Sequence, residues 1–132
     1  MTELKYSKEP PEIYKKLKEQ FNVNWDDGIV IANDWTIHCK YEVAPEKVVH
    51  EIEHLKRQTE IGNDLWWELY LGNKDFRFQE ESKAYYEEAK FIKDNIKDRN
   101  FAFKMLWELC ENLSGDTYGS MCSFDDAKKL LL

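Results

Sequence analysis

The stretch from Pro45 to Gly62 carries signals for both ends of a helix. Proline suits the first turn of a helix and glycine the position just past its end, and the run between them has two unlike sides. At about 100° per residue, Val48, Ile52 and Leu55 fall together, while His50 and His54 fall roughly opposite them, with Gln58 one turn beyond His54. The spacing predicts a helix from Pro45 to about Glu60. Its apolar back is expected to face the core and its His/Glu front to form a site.

The front carries His50-Glu51-Ile52-Glu53-His54. Two histidines four residues apart stack on one helix face, where one metal ion can meet both rings. Glu51 lies about 100° around from His50, so it can reach a water on the metal without being a ligand. Two imidazoles leave room for a third protein ligand and a water. That ligand is sought in the later segment Gln79 to Tyr86. Glu81 shares a face with Ala84, Tyr85, Glu88 and Ile92, so it points inward, and a buried carboxylate needs a partner. Glu80 falls between that stripe and the polar face and is the alternative ligand. Ala84 is small enough to let the two helices approach closely. Glu88 is expected to be a partly exposed charge, with the orienting of a histidine ring as its alternative role. His38, on the polar side of a strand, is expected to be exposed and not a ligand.

Residues 1–9 read as a loose polar tail and 10–132 as a single domain, since 132 residues suit one core. Pro10-Pro11 is expected to open a helix with Ile13, Leu17 and Phe21 on its apolar face. Asp26-Asp27-Gly28 signals a turn. Ile29 to Ile31 and Trp35 to Cys39 read as an antiparallel hairpin around a turn near Asn33-Asp34. Further helices are predicted over Asp64–Leu71, Phe78–Lys97 and Phe101–Leu113. A final helix would begin at the Ser123/Asp126 capping box. The fold class is α+β, mostly helical, with a small antiparallel hairpin ahead of the histidine helix. Trp66, Trp67, Tyr70 and Trp107 are expected to pack in the core, with a substrate groove as the alternative.

Aromatic residues make up 14% of the chain, which argues against disorder. A net charge of −7 disfavours nucleic acid and anionic membrane surfaces as partners. No apolar run follows the polar residues Met1 to Lys8, and none reaches membrane-spanning length. Cys39, Cys110 and Cys122 are odd in number and widely spaced. They suggest neither a disulfide framework nor a thiolate metal site, and the expected compartment is a reducing cytoplasm.

His50-Glu51-x-x-His54, followed by Gln58 and then Glu81-x-x-Ala84-Tyr85, resembles the gluzincin pattern, in which a glutamate on a later helix completes HExxH. It is most similar to the small single-domain metallopeptidases common in phage and prokaryotic genomes. The resemblance covers roughly residues 28–92 and implies a minimal zincin-like fold. It also implies Zn2+ held by His50, His54 and Glu81, Glu51 as the general base, and a peptide or protein substrate. Tyr85 stands where many gluzincins carry an acidic residue, and nothing in the resemblance covers the C-terminal third. For stabilising the oxyanion, Tyr85, Tyr86, Tyr118 and His38 all remain candidates. An edge strand of the hairpin would offer an extended peptide a place to pair. Two other classes stay open: a non-catalytic zinc-binding or helical protein-interaction module, and a zinc hydrolase of non-peptide amides or esters.

Overall fold

The computed structural model describes residues 3–132. Residues 1 and 2, the start of the expected tail, lie outside the described residues. The tail reading fails where it can be compared. Lys5–Ser7 form strand β1, because their main chain pairs in parallel with a later strand, Tyr6 opposite Ile37. Helix α1 spans Tyr14–Phe21, starting later than Pro10-Pro11 suggested. A residue before proline is disfavoured in the helical region, which keeps Pro10 out of the helix, and the Pro11 carbonyl accepts from Tyr14 N–H in the turn that leads into it. Leu17 is buried, with Ile13 and Phe21 packed beside it. The predicted turn is a 3-10 turn at Trp25–Asp27. The Asn24 side chain caps it, and Gly28 closes it at a φ of 83°.

β2 (Ile31–Asn33) and β3 (Thr36–His38) pair antiparallel, giving a three-stranded mixed sheet of order β1-β3-β2. The strands and their turn are displaced from the expected Ile29–Ile31, Trp35–Cys39 and Asn33-Asp34. The two-residue turn is Asp34-Trp35, both at positive φ (51° and 56°), a conformation that costs a bulky residue such as Trp. Tertiary hydrogen bonds offset that cost. Asp34 N–H donates to Gln58 Oε1, and Trp35 Nε1–H to Thr59 Oγ1 at 2.6 Å, fastening the turn to the next helix.

That helix, α2 (Pro45–Ile61), has the predicted ends, with Pro45 in the first turn and Gly62 just beyond. Its two sides are not used as expected. Of the supposed apolar back only Leu55 is buried, against Ala32 and Ile37 of the sheet, while Val48 and Ile52 are half-buried. His50, Glu51, His54 and Gln58, the supposed front, are all buried. His50 and His54 face α4 (Lys74–Asn95), the longest helix, reached through α3 (Asn63–Gly72), while Gln58 faces the hairpin. α4 starts earlier than predicted because the Asn73 side chain caps it at Phe76 N–H.

α5 (Arg99–Ser114) is capped by Asp98 and α6 (Phe124–Leu131) by Ser123, whose hydroxyl accepts from Asp126 N–H. An apolar cluster of Ala89, Ile92, Leu106, Leu109, Cys110, Leu113, Ala127 and Leu131 joins α5 and α6 to the second half of α4. A second cluster holds Leu17, Val23, Ile31, Trp66, Trp67 and Tyr70. The first half of α4 packs on the polar side of α2, and the candidate site lies there. All three cysteines are free, and no helix among the described residues is long and apolar enough to cross a membrane.

Candidate metal centre

α2 aims both imidazoles of its motif at one carboxylate of α4. His50 Nε2 and His54 Nε2 each lie 3.0 Å from Glu81 Oε1. Donors around one tetrahedral zinc, with bonds of about 2.0–2.2 Å, stand roughly 3.3 Å apart, so this spacing fits a shared ion. His50, Glu51 and His54 also offer potential ligand atoms within 4.8 Å of one another, a buried group that can hold a metal ion. Glu51 Oε2 is 3.8 Å from His50 Nε2, beside the point on which the imidazoles and Glu81 converge.

A second ring of groups fixes these side chains. Glu88 Oε1 lies 2.9 Å from His50 Nδ1, and its other oxygen forms an ion pair with Lys47 Nζ at 2.7 Å. Glu88 is therefore fully buried, not the partly exposed charge the sequence suggested. Its contact leaves His50 Nε2 as the free face of the ring, as a metal ligand requires. Glu80, the alternative ligand, turns away from Glu81. It accepts from Trp66 Nε1–H at 2.8 Å and Arg57 Nε–H at 3.2 Å, and stands 3.6 Å from His54 Nδ1. Tyr70 donates to Glu81 Oε2 at 2.9 Å, leaving Oε1 to the histidines.

Charge is the unusual feature of this centre. Glu51, Glu80, Glu81 and Glu88 are each at most 7% exposed. Lys47 and Arg57 are the cations paired with them. Two negative charges are left over, and buried charge is expensive unless balanced. Without a metal, protons supply the balance. Burial works against a charged imidazole, yet Glu51, Glu81 and Glu88 outweigh it and hold His50 up at about 9. His54 is raised well above its ordinary value in the same way, against burial, chiefly by Glu81. Burial first, and the neighbouring carboxylates after it, raise Glu51 despite the two histidines, which makes it a stronger base. Glu81 is held well below the usual carboxylate range, since the two histidines overcome its burial.

A cavity of about 480 Å³ opens beside the cluster. Its floor includes His50, Glu51, His54 and Glu81. Residues Gly28 to Ala32 line it too, as do Trp66, Trp67 and Tyr70. These three aromatics are buried as expected, and they also line this space. Trp107 does not belong with them: it is 38% exposed on α5. Of the oxyanion candidates, Tyr85 and Tyr118 line the cavity, and burial followed by Glu81 raises both phenols, so they stay neutral donors. Tyr86 is half-exposed, and His38 faces the Glu9 carbonyl at 2.9 Å.

Lys47, Arg57 and Tyr70 went unread in the sequence as partners of the glutamates. Lys47 lies one turn before His50, a faint signal, while Tyr70 and Arg57 meet α4 only through the packing of α2 and α3. Gln58 serves the hairpin, its Nε2 donating to Ala32 O at 2.8 Å. Compared with models of known protein families, with curated proteins and with solved structures, the chain matches none of them.

Proposed function

We propose that this protein is a zinc-dependent metallopeptidase with His50, His54 and Glu81 as metal ligands and Glu51 as general base. One observation carries the reading: both Nε2 atoms converge on a single oxygen of Glu81. The charge balance supports it, because one divalent ion offsets the two leftover negative charges. Zinc held by these residues would supply a Lewis acid for the scissile carbonyl and for the attacking water. Glu51, its basicity raised by burial, takes the water's proton and delivers it to the leaving amine. Tyr85 and Tyr118 are the two cavity phenols able to donate to the developing oxyanion. β2 is the sheet edge along the cavity, so an extended peptide would pair there, short of Ala32, whose carbonyl Gln58 already occupies. The three free cysteines suit a reducing compartment.

Zinc analysis with Glu51→Gln tests the reading. The purified protein should hold one zinc that is lost in His54→Ala. Glu51→Gln should keep the metal and lose about 10²–10⁴-fold in peptide cleavage. Cleavage that survives Glu51→Gln would remove the assigned base, and absence of stoichiometric zinc would remove the whole reading. The competing reading is a non-catalytic zinc site, favoured by the deep burial of all three donors. Silence against a broad set of peptide, amide and ester substrates, with zinc bound, would select it.

A further inference from the structure

Arg77 is buried near the start of α4, and its guanidinium serves main-chain carbonyls. Nε–H donates to Tyr118 O at 2.9 Å, and an Nη1 proton to Tyr70 O at 2.7 Å. A buried cation is costly unless its donors are satisfied, and bonds from a charged donor are among the stronger ones. The guanidinium also sits over the rings of Phe21 (5.1 Å) and Tyr70 (5.9 Å), whose faces attract a cation. One side chain thus joins α1, α3, α4 and the segment between α5 and α6.

That segment is the remote part of the cavity wall. Gly115, Thr117 and Tyr118 line the same space as His50, Glu51 and Glu81. The Tyr118 ring packs edge-on against Phe21 at 5.1 Å and meets Tyr70 at 6.4 Å. Gly119 has a φ of 101°, and a Cβ there would stand 3.3 Å from Arg77 Nη2. The backbone therefore approaches the guanidinium closely, in a conformation that favours glycine. Tyr70 is held through its carbonyl by Arg77 and through its hydroxyl by Glu81, so one network touches both the cavity wall and the metal face.

The geometry points to Arg77 as a positioning residue: it fastens residues 115–119 against α3 and α4, so that Tyr118 forms a fixed wall of the substrate cavity. The fastening stands on its own, and its consequence for substrate rests on the peptidase reading. Lysine is no replacement, because a single ammonium lacks the rigid fork that serves two separated carbonyls.

The test uses Arg77→Lys, Arg77→Met and Gly119→Ala in the full chain. Each is followed by zinc content, amide hydrogen exchange and two inhibitor affinities. Acetohydroxamate probes the metal alone, and a phenylalanine-bearing peptide hydroxamate probes the wall as well. Exchange at residues 115–119 should quicken at least about tenfold, and peptide-hydroxamate affinity should fall by a similar factor. Zinc content and acetohydroxamate affinity should stay within about twofold, with KM raised more than kcat falls. Unchanged exchange in both arginine variants would overturn the proposal. So would faster exchange with unaltered peptide-hydroxamate affinity and KM. If Arg77→Met does not fold, Arg77→Lys and Gly119→Ala decide. If the wild-type zinc protein binds neither hydroxamate and cleaves nothing, the peptidase reading fails, and exchange alone decides whether Arg77 fastens the segment.

Discussion

α4 is packed by two neighbours in two different chemistries. Its second half meets α5 and α6 through Ala89 and Ile92, in a cluster that also buries Leu109, Leu113 and Leu131. On the side turned to α2 it carries Glu80 and Glu81 in its first half and Glu88 early in its second, set against His50 and His54, with Ala84 fully buried among them. The apolar half is stable with nothing added, because burial there removes apolar surface from water. The polar half is stable only while its charge is balanced, by protons or by a metal. One helix thus carries a conditional interface next to an unconditional one.

The comparison breaks most sharply at Glu81. Glu81→Ala should weaken zinc binding by at least about a hundredfold, since it removes a proposed ligand rather than a supporting contact. Competition with a chelator measures this, and an unchanged affinity would shift the role to Glu80. Leu113→Ala tests the other half. A fully buried leucine should cost about 2–5 kcal/mol in denaturant unfolding, by the same amount with zinc or with chelator. Stability that depended on zinc at this position would mean that the two halves are coupled.

Glu88→Gln is subtler. The amide keeps the shape but loses the charge that faces His50 and Lys47, and zinc affinity should fall about 10–100-fold. The last test varies pH. In the metal-free protein His50 keeps its proton up to about 9, so zinc must displace it near neutrality. Displacing the His50 proton should raise apparent zinc affinity about tenfold per pH unit, a rise that levels off near pH 9. The sign for folding is opposite. A histidine raised from 6.5 to about 9 stabilises the metal-free fold fully below pH 6.5 and loses that contribution as pH rises through about 9. Melting of the chelated protein from pH 6 to 10 measures it, and a melting point that rises over that range would contradict the protonated-pair account.

The periodicity of α2 and α4 put His50 and His54 on one face and turned Glu81 inward, because helical geometry is local. It misjudged the environment of the motif. The side carrying His50 and Glu51 was expected to form a site in front of an apolar back that faced the core, and it is itself the side most buried. Polar residues read as exposed unless their partners are known, and the partners of these lie on α4, about thirty residues away. Glu88 was misread for the same reason. The third strand escaped notice because Lys5–Ser7 is too short and polar to show a buried face, and is a strand only through β3.

The sequence by itself determined the ends of α2, at Pro45 and Gly62, and the stacking of His50 over His54. Both follow from the backbone preferences and pitch of one helix. Only the tertiary structure decided which carboxylate meets the imidazoles, which ones brace them from behind, and that Tyr118 lines the cavity. Those choices depend on how α3, α4 and the 115–119 segment pack around a charged centre. Coulomb and desolvation terms act between residues far apart in the chain, where no local pattern records them.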